Sequence, residues 1–187
     1  MAGHAHLDHN GDKRIALLIA ILALFLALAE TGAKSAQTEA ISRNIEAANL
    51  WAFFQARSIR QTTVRTAAEE ADLARQAATD ATLRTAIEQQ QQAWRATAQR
   101  WESEPETGEG RRELSARARA AEAKRDLSFA AYHHYEYGSA AFQVAIVLAS
   151  ASIVTAVPAL AAGAVVVGLG GLVLTGLGFF APEAVHF

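Results

Sequence analysis

The sequence predicts an all-α integral membrane protein with three transmembrane helices and a long extramembrane helical hairpin between the first and second. Three observations predict it. Residues 15–29 form an uncharged run, IALLIAILALFLALA. From Tyr137 to Pro182, 46 positions carry no charged residue, enough for two crossings of about 20 residues each. Between these regions, residues 34–102 are polar and free of proline and glycine, as a helical region requires.

Composition agrees with helices packed closely. Half of the 187 residues are apolar but only 7% are aromatic, and alanine dominates the apolar set. Alanine favours helix more than any other residue while burying little area. The three prolines, Pro105, Pro158 and Pro182, each fall at an expected break. No useful stretch alternates with period two, so no sheet is expected. The chain has no cysteine, which excludes disulfides, thiol catalysis and Cys-ligated zinc. A net charge of −2 gives no electrostatic reason to expect nucleic acid as a partner.

Taken in order, residues 1–12 read as a mobile tail carrying His4, His6 and His9. Residues 13–33 are the first span. Its uncharged run reaches roughly 22 Å as helix, short of a hydrocarbon core of about 30 Å, and it lengthens through Thr31, Gly32 and Ala33 if Glu30 snorkels or finds a partner. A cleavable signal peptide ending at Ala27-Leu28-Ala29 is the rival; the uncleaved span is expected. Residues 34–102 form an amphipathic helical segment with stripes at Ile41, Ile45, Ala48, Ala52 and at Leu83, Ile87, Trp94, Trp101. Residues 103–110, SEPETGEG, are a turn. Residues 111–137 form the return helix. Residues 138–157 and 159–180 are the second and third spans, an antiparallel hairpin divided by Pro158, and 181–187 form the C-terminal tail.

Lys34 and Arg43 at one end of the central region, and Arg117, Arg119, Lys124 and Arg125 at the other, favour its cytoplasmic placement. Length constrains its path. Residues 34–102 as one helix would rise about 100 Å, whereas the return helix covers about 40 Å. The segment therefore bends or folds back. One solution lays Trp51, Phe53 and Phe54 at the membrane surface. The other folds back near Thr79-Asp80, with Asp80 capping a new helix. The first is marginally preferred.

The stretch Lys34–Thr62, KSAQTEAISRNIEAANLWAFFQARSIRQT, resembles the bacterial membrane proteins grouped as domain of unknown function 4337. The preceding KRIALLIAILALFLALAETGA and the C-terminal hairpin resemble the family as well, and Trp51-Ala52-Phe53-Phe54-Gln55 is the most specific part. The resemblance implies a multi-pass protein of the bacterial inner membrane. It implies no activity.

Candidate sites follow from residue chemistry. Trp51, Phe53 and Phe54 are expected at a membrane surface or subunit interface, as are Tyr132, Tyr135 and Tyr137, where an aromatic belt is favoured over a titrating cluster with His133, His134 and Glu136. The tail histidines are read as solvated and not as a metal site. Glu30 is read as an interfacial residue facing water or Lys34, four positions on, and less as an ion site. Thr155 and Thr175 are expected to bond back to a helix. Ala141, Ala145 and Ala149 recur every fourth residue, and Gly163, Gly168 and Gly171 extend small-residue faces on the last span, which let helices approach closely.

No phosphate loop, nucleophile elbow or metalloprotease motif occurs. The expected function is therefore a non-enzymatic oligomeric membrane scaffold, with the lipid bilayer, further copies of itself and a possible unknown protein as partners, and no cofactor. The alternative is an ion-conducting or ion-coupled channel subunit. It shares a layout with subunits of proton-driven complexes resembling ExbB and TolQ, but lacks any charged residue between Tyr137 and Pro182.

Overall fold

The computed structural model describes residues 9–184, with side-chain surroundings from residue 13 onward. The side chains of His4, His6 and His9 lie outside the described residues. Among the described residues there are four helices and no strand: α1 His9–Ala77, α2 Ala81–Glu102, α3 Arg111–Thr155 and α4 Pro158–Phe180. Three of them contain a stretch long and apolar enough to cross a membrane, within Lys13–Ala77, Arg111–Thr155 and Pro158–Phe180.

Three expected borders are not helix ends. α1 begins at His9, inside the expected tail, and continues from 12 into 13 and from 33 into 34, and α3 continues from 137 into 138, so these mark changes of composition within unbroken helices. Gly32 and Gly138 stand near the last two points, and an isolated glycine weakens a helix by only about 1 kcal/mol relative to alanine. The break inside 34–102 falls at 78–80. Asp80 caps α2, accepting from the backbone N–H of Thr82 at 2.7 Å and Leu83 at 3.0 Å. The chain thus takes the fold-back, and α1 continues as helix through Trp51, Phe53 and Phe54.

The chain forms two compact units, Ser42–Lys124 and the remainder, Met1–Ile41 with Arg125–Phe187. In the latter, Leu22, Ala29, Phe142, Ala145, Ala149 and Ala164 make the core. The α3–α4 connection is tight. Ala156 adopts φ +54°, Pro158 opens α4, and Ser152 Oγ donates to the Val157 carbonyl at 3.0 Å.

In the unit of Ser42–Lys124, α1 is covered first by α2 and then by the start of α3, so one long helix faces a return path broken at 103–110. Gln61 and Gln91 tie α1 to α2, their Nε2 atoms donating to the carbonyls of Ala98 at 2.8 Å and Ala68 at 3.0 Å. Nearer the α3 start, Ala47 and Leu50 pack with Leu114, Ala118 and Ala121, joined by Trp51 and Phe54. The expected stripe of Ile41, Ile45, Ala48 and Ala52 is exposed. The buried face of α1 runs instead through Ala40, Ala47, Leu50, Gln61 and Ala68. Both faces carry apolar residues at helical spacing, and the covered one also carries Arg57 and Gln61, whose side chains bond to carbonyls of the return path.

Candidate functional site

The unit built from α1, α3 and α4 is held by small residues. Along α4, Ala164, Gly168, Gly171 and Gly178 are buried. They face α3: a Cβ on Gly171 would lie 3.0 Å from the Phe142 ring, and one on Gly178 would lie 3.1 Å from His134 Cβ. Gly138 supplies the matching gap on α3, where a Cβ would lie 2.5 Å from Thr175 Oγ1 and 3.1 Å from the Gly171 carbonyl oxygen. Leu22 of α1 reaches into the seam, 2.7 Å from the place a Gly168 Cβ would take. Ala145 and Ala149 are fully buried and Ala141 half-buried. These small residues therefore serve packing inside the chain.

At the other end of this unit, His134 is fully buried. Its Nε2 lies 3.1 Å from the Pro182 carbonyl oxygen. A carbonyl only accepts, so Nε2 carries the hydrogen and ties the segment after α4 to α3. Tyr135 covers Gly32 on α1, its ring 2.9 Å from where a Cβ would stand. Tyr132 and His133 instead lean on Glu136, at 3.3 and 3.6 Å, and the His133 ring stacks on Tyr137 at 6.4 Å. A groove of about 950 Å³ opens beside Tyr135, floored by Phe25, Leu28, Leu172 and Phe179 and rimmed by Ser35 and Ser128.

Glu30 does not pair with Lys34. Its Oε1 accepts from Gln143 Nε2 of α3 at 3.5 Å. Gln143 lies six residues beyond Tyr137, about 9 Å along the helix. The carboxylate therefore sits level with the charge-free stretch of α3 and not beyond its end. Thr155 bonds back to the Ala151 carbonyl at 2.8 Å, whereas Thr175 Oγ1 is buried with no hydrogen-bond partner among the described residues.

In the unit of Ser42–Lys124, polar side chains clamp the break between α2 and α3. Arg57, 9% exposed, donates through Nε to the Glu109 carbonyl at 3.0 Å and through Nη2 to the Glu109 carboxylate at 3.1 Å. Its guanidinium sits 5.6 Å from the Phe53 ring centroid and 5.9 Å from that of Trp101. Arg111, over Phe54 at 5.1 Å, donates to Ser58 Oγ at 2.8 Å, Gln61 Oε1 at 2.7 Å and Glu102 Oε2 at 2.9 Å. The Gln61 hydrogen bond and the charges of Arg111, Arg112 and Arg65 hold the Glu102 carboxyl below its usual range, against the opposing effect of burial.

The family described as a domain of unknown function (DUF4337) matches residues 11–181. The chain belongs to the DUF4337 family. No curated protein matches it, and no solved structure does.

Within this DUF4337 chain, all three central aromatics have intrachain contacts, Phe53 through the Arg57 guanidinium. Trp51 donates its indole N–H to Glu122 at 2.9 Å and stands edge-on to Phe54 at 5.4 Å. Phe53 is the one left substantially exposed, at 40%. α3 packs against Trp51 and Phe54, which stay half-buried, so part of each side chain is engaged within the chain. Arginines beside aromatics suggested a membrane surface; here they sit over the chain's own rings. Sequence reading passed over Leu22, Phe142, Gly138 and Gly178, all in the packing seam. The spacing of Gly171, Thr175 and Gly178 carried a signal for the last.

Proposed function

We propose that this DUF4337 chain is a non-enzymatic, homo-oligomeric scaffold of the bacterial inner membrane. In this reading it crosses the bilayer three times, in α1, in the second half of α3 and in α4, and carries the Ser42–Lys124 unit outside as an extramembrane helical hairpin. One observation carries it. The helices long enough to cross turn large apolar residues outward, including Leu17, Leu24, Val166, Val173 and Phe180, while small residues fill the interior. That inversion suits lipid as the surrounding solvent. The basic residues flanking the central region favour its cytoplasmic side.

Oligomerisation is supported by the Ser42–Lys124 unit. Its apolar core is thin, and Ile45, Ile59 and Leu73 remain exposed at 55, 68 and 68%. Apolar surface left on an extramembrane helix marks an interaction site. Particle mass in nanodiscs over a wide concentration range tests the reading. A defined multimer is expected, and a monodisperse monomer would overturn it.

The channel alternative draws on Glu30, an ionisable group level with the spans. Proton or cation flux into proteoliposomes above that of protein-free vesicles, under an imposed pH gradient or voltage, would favour it over the scaffold.

A further inference from the structure

α1 shows three different faces along its apolar run. One packs on α3 and α4 through Leu22 and Ala29. The second is exposed and bulky, with Leu17, Ile21, Leu24 and Leu28. The third is exposed and small: Ala16, Ala20, Ala23 and Ala27 follow one another at spacings of four, three and four, and Glu30 continues the series. Bulky apolar side chains suit disordered lipid tails. A flat alanine face offers tails little to grip, and it lets a second helix approach closely.

Glu30 decides between lipid and protein as its neighbour. It is exposed on this face, and its one hydrogen bond is to Gln143, also exposed, at 3.5 Å. Gln143 keeps a second amide N–H and its carbonyl oxygen without a partner among the described residues. An ionisable side chain and a half-used amide facing hydrocarbon are unfavourable, so the pair calls for polar partners from another protein surface. The pair is self-complementary. An acceptor on α1 beside a donor on α3, rotated by a twofold axis, meets its own complement. A second copy supplies both halves without any other partner.

Independent support comes from the Ser42–Lys124 unit. There α1 leaves Ile45, Ala52 and Ile59 exposed, each seven residues from the next, with Ala48 and Gln55 exposed between them. Apolar residues spaced by seven with small or polar ones at the intervening position form a seam for a like helix.

Resting on the scaffold reading above, we propose that α1 is the subunit contact, its alanine face seated against a second copy with Glu30 and Gln143 exchanging hydrogen bonds across the joint. The absence of cysteine makes cross-linking clean. Single substitutions Ala23→Cys, Ala27→Cys and Ala52→Cys in the full chain should form disulfide dimers in native membranes under mild oxidation. Leu24→Cys and Val173→Cys, on the bulky faces, should remain monomeric on non-reducing gels. In nanodiscs, Glu30→Leu should lower the multimer fraction at least tenfold, and Glu30→Gln, which keeps the hydrogen bonds, should restore most of it. A multimer that cross-links through Leu24→Cys or Val173→Cys but not through the alanine face would overturn this contact while leaving the scaffold standing. A wild-type monomer would overturn both. Ion flux abolished by Glu30→Gln, with α1 cross-links absent, would assign the pair to transport instead.

Discussion

Trp51 donates its indole N–H to the Glu122 carboxylate, Nε1 to Oε1 at 2.9 Å, across the α1–α3 seam of the Ser42–Lys124 unit. The bond gives the polar edge of a half-buried aromatic a charged acceptor, while the ring packs with Phe54 and the Leu50–Leu114 cluster. Trp51→Ala should therefore destabilise this unit by about 2–4 kcal/mol, in the range of large-to-small core changes. Trp51→Phe, which keeps most of the packing, should cost about 1 kcal/mol. Thermal unfolding of the full chain followed by circular dichroism reads both. With Trp94 and Trp101 replaced by phenylalanine, Trp51 emission should lie to the blue of free indole; emission matching indole in water would refute the burial.

Gly138 and Gly176 make a matched pair of probes. A Cβ at Gly138 collides with Thr175 Oγ1, whereas at Gly176 it meets nothing within 4 Å. Gly138→Ala should destabilise the α3–α4 contact by about 1–3 kcal/mol, as overpacking does, and Gly176→Ala should be neutral. Adding Thr175→Ala to Gly138→Ala should recover much of the loss. Heat resistance in detergent for the three variants, against wild type, checks the set.

Ala156 holds φ +54° between α3 and α4, a region that costs a side-chain-bearing residue roughly 1–2 kcal/mol. Ala156→Gly should therefore raise stability by a fraction of that, since glycine also loses more freedom on folding. A rise in unfolding midpoint is expected, and a fall would argue against this turn geometry.

The clamp at the α2–α3 break should be acid-sensitive. Glu102 titrates below its usual 4.5 in the folded chain because of its Gln61 bond and the neighbouring arginines. A depressed folded-state pKa means that ionised Glu102 contributes stability above the unfolded value, and that this contribution fades as pH falls through the folded one. Glu102→Gln should reduce stability near pH 7 and flatten its decline below about pH 4.5. Unfolding midpoints at stepped pH values would show an unchanged slope if Glu102 were irrelevant.

Asp80 is lowered in the same direction by the backbone N–H groups of Leu83 and Thr82. Asp80→Ala removes the α2 cap, and amide exchange over residues 81–85 should speed up, while Asp80→Ser should stay near wild type.

The sequence by itself determined the helical class, the breaks at 103–110 and before Pro158, and the three apolar stretches, and it left the break at 78–80 as one of two alternatives. Those are local properties: proline, glycine and a capping aspartate act over a few residues, and a charge-free run reports on its own length. It also showed the small residues of α3 and α4 as a pattern that lets helices approach closely, without saying what they meet. Only the tertiary structure decided which faces are covered. Periodicity marked Ile41 and Ile45 as readily as Ala40 and Ala47, and residues one position apart lie about 100° apart around a helix. Which face meets a neighbour depends on the return path at 78–80 and 103–110, set by contacts such as Gln61 with Ala98 that join residues 37 apart in the chain. The same reason moved Trp51 into an intrachain bond and gave Glu30 a partner 113 residues away. The side chain advertises its chemistry in sequence, but only the packing of separate helices sets what stands opposite it.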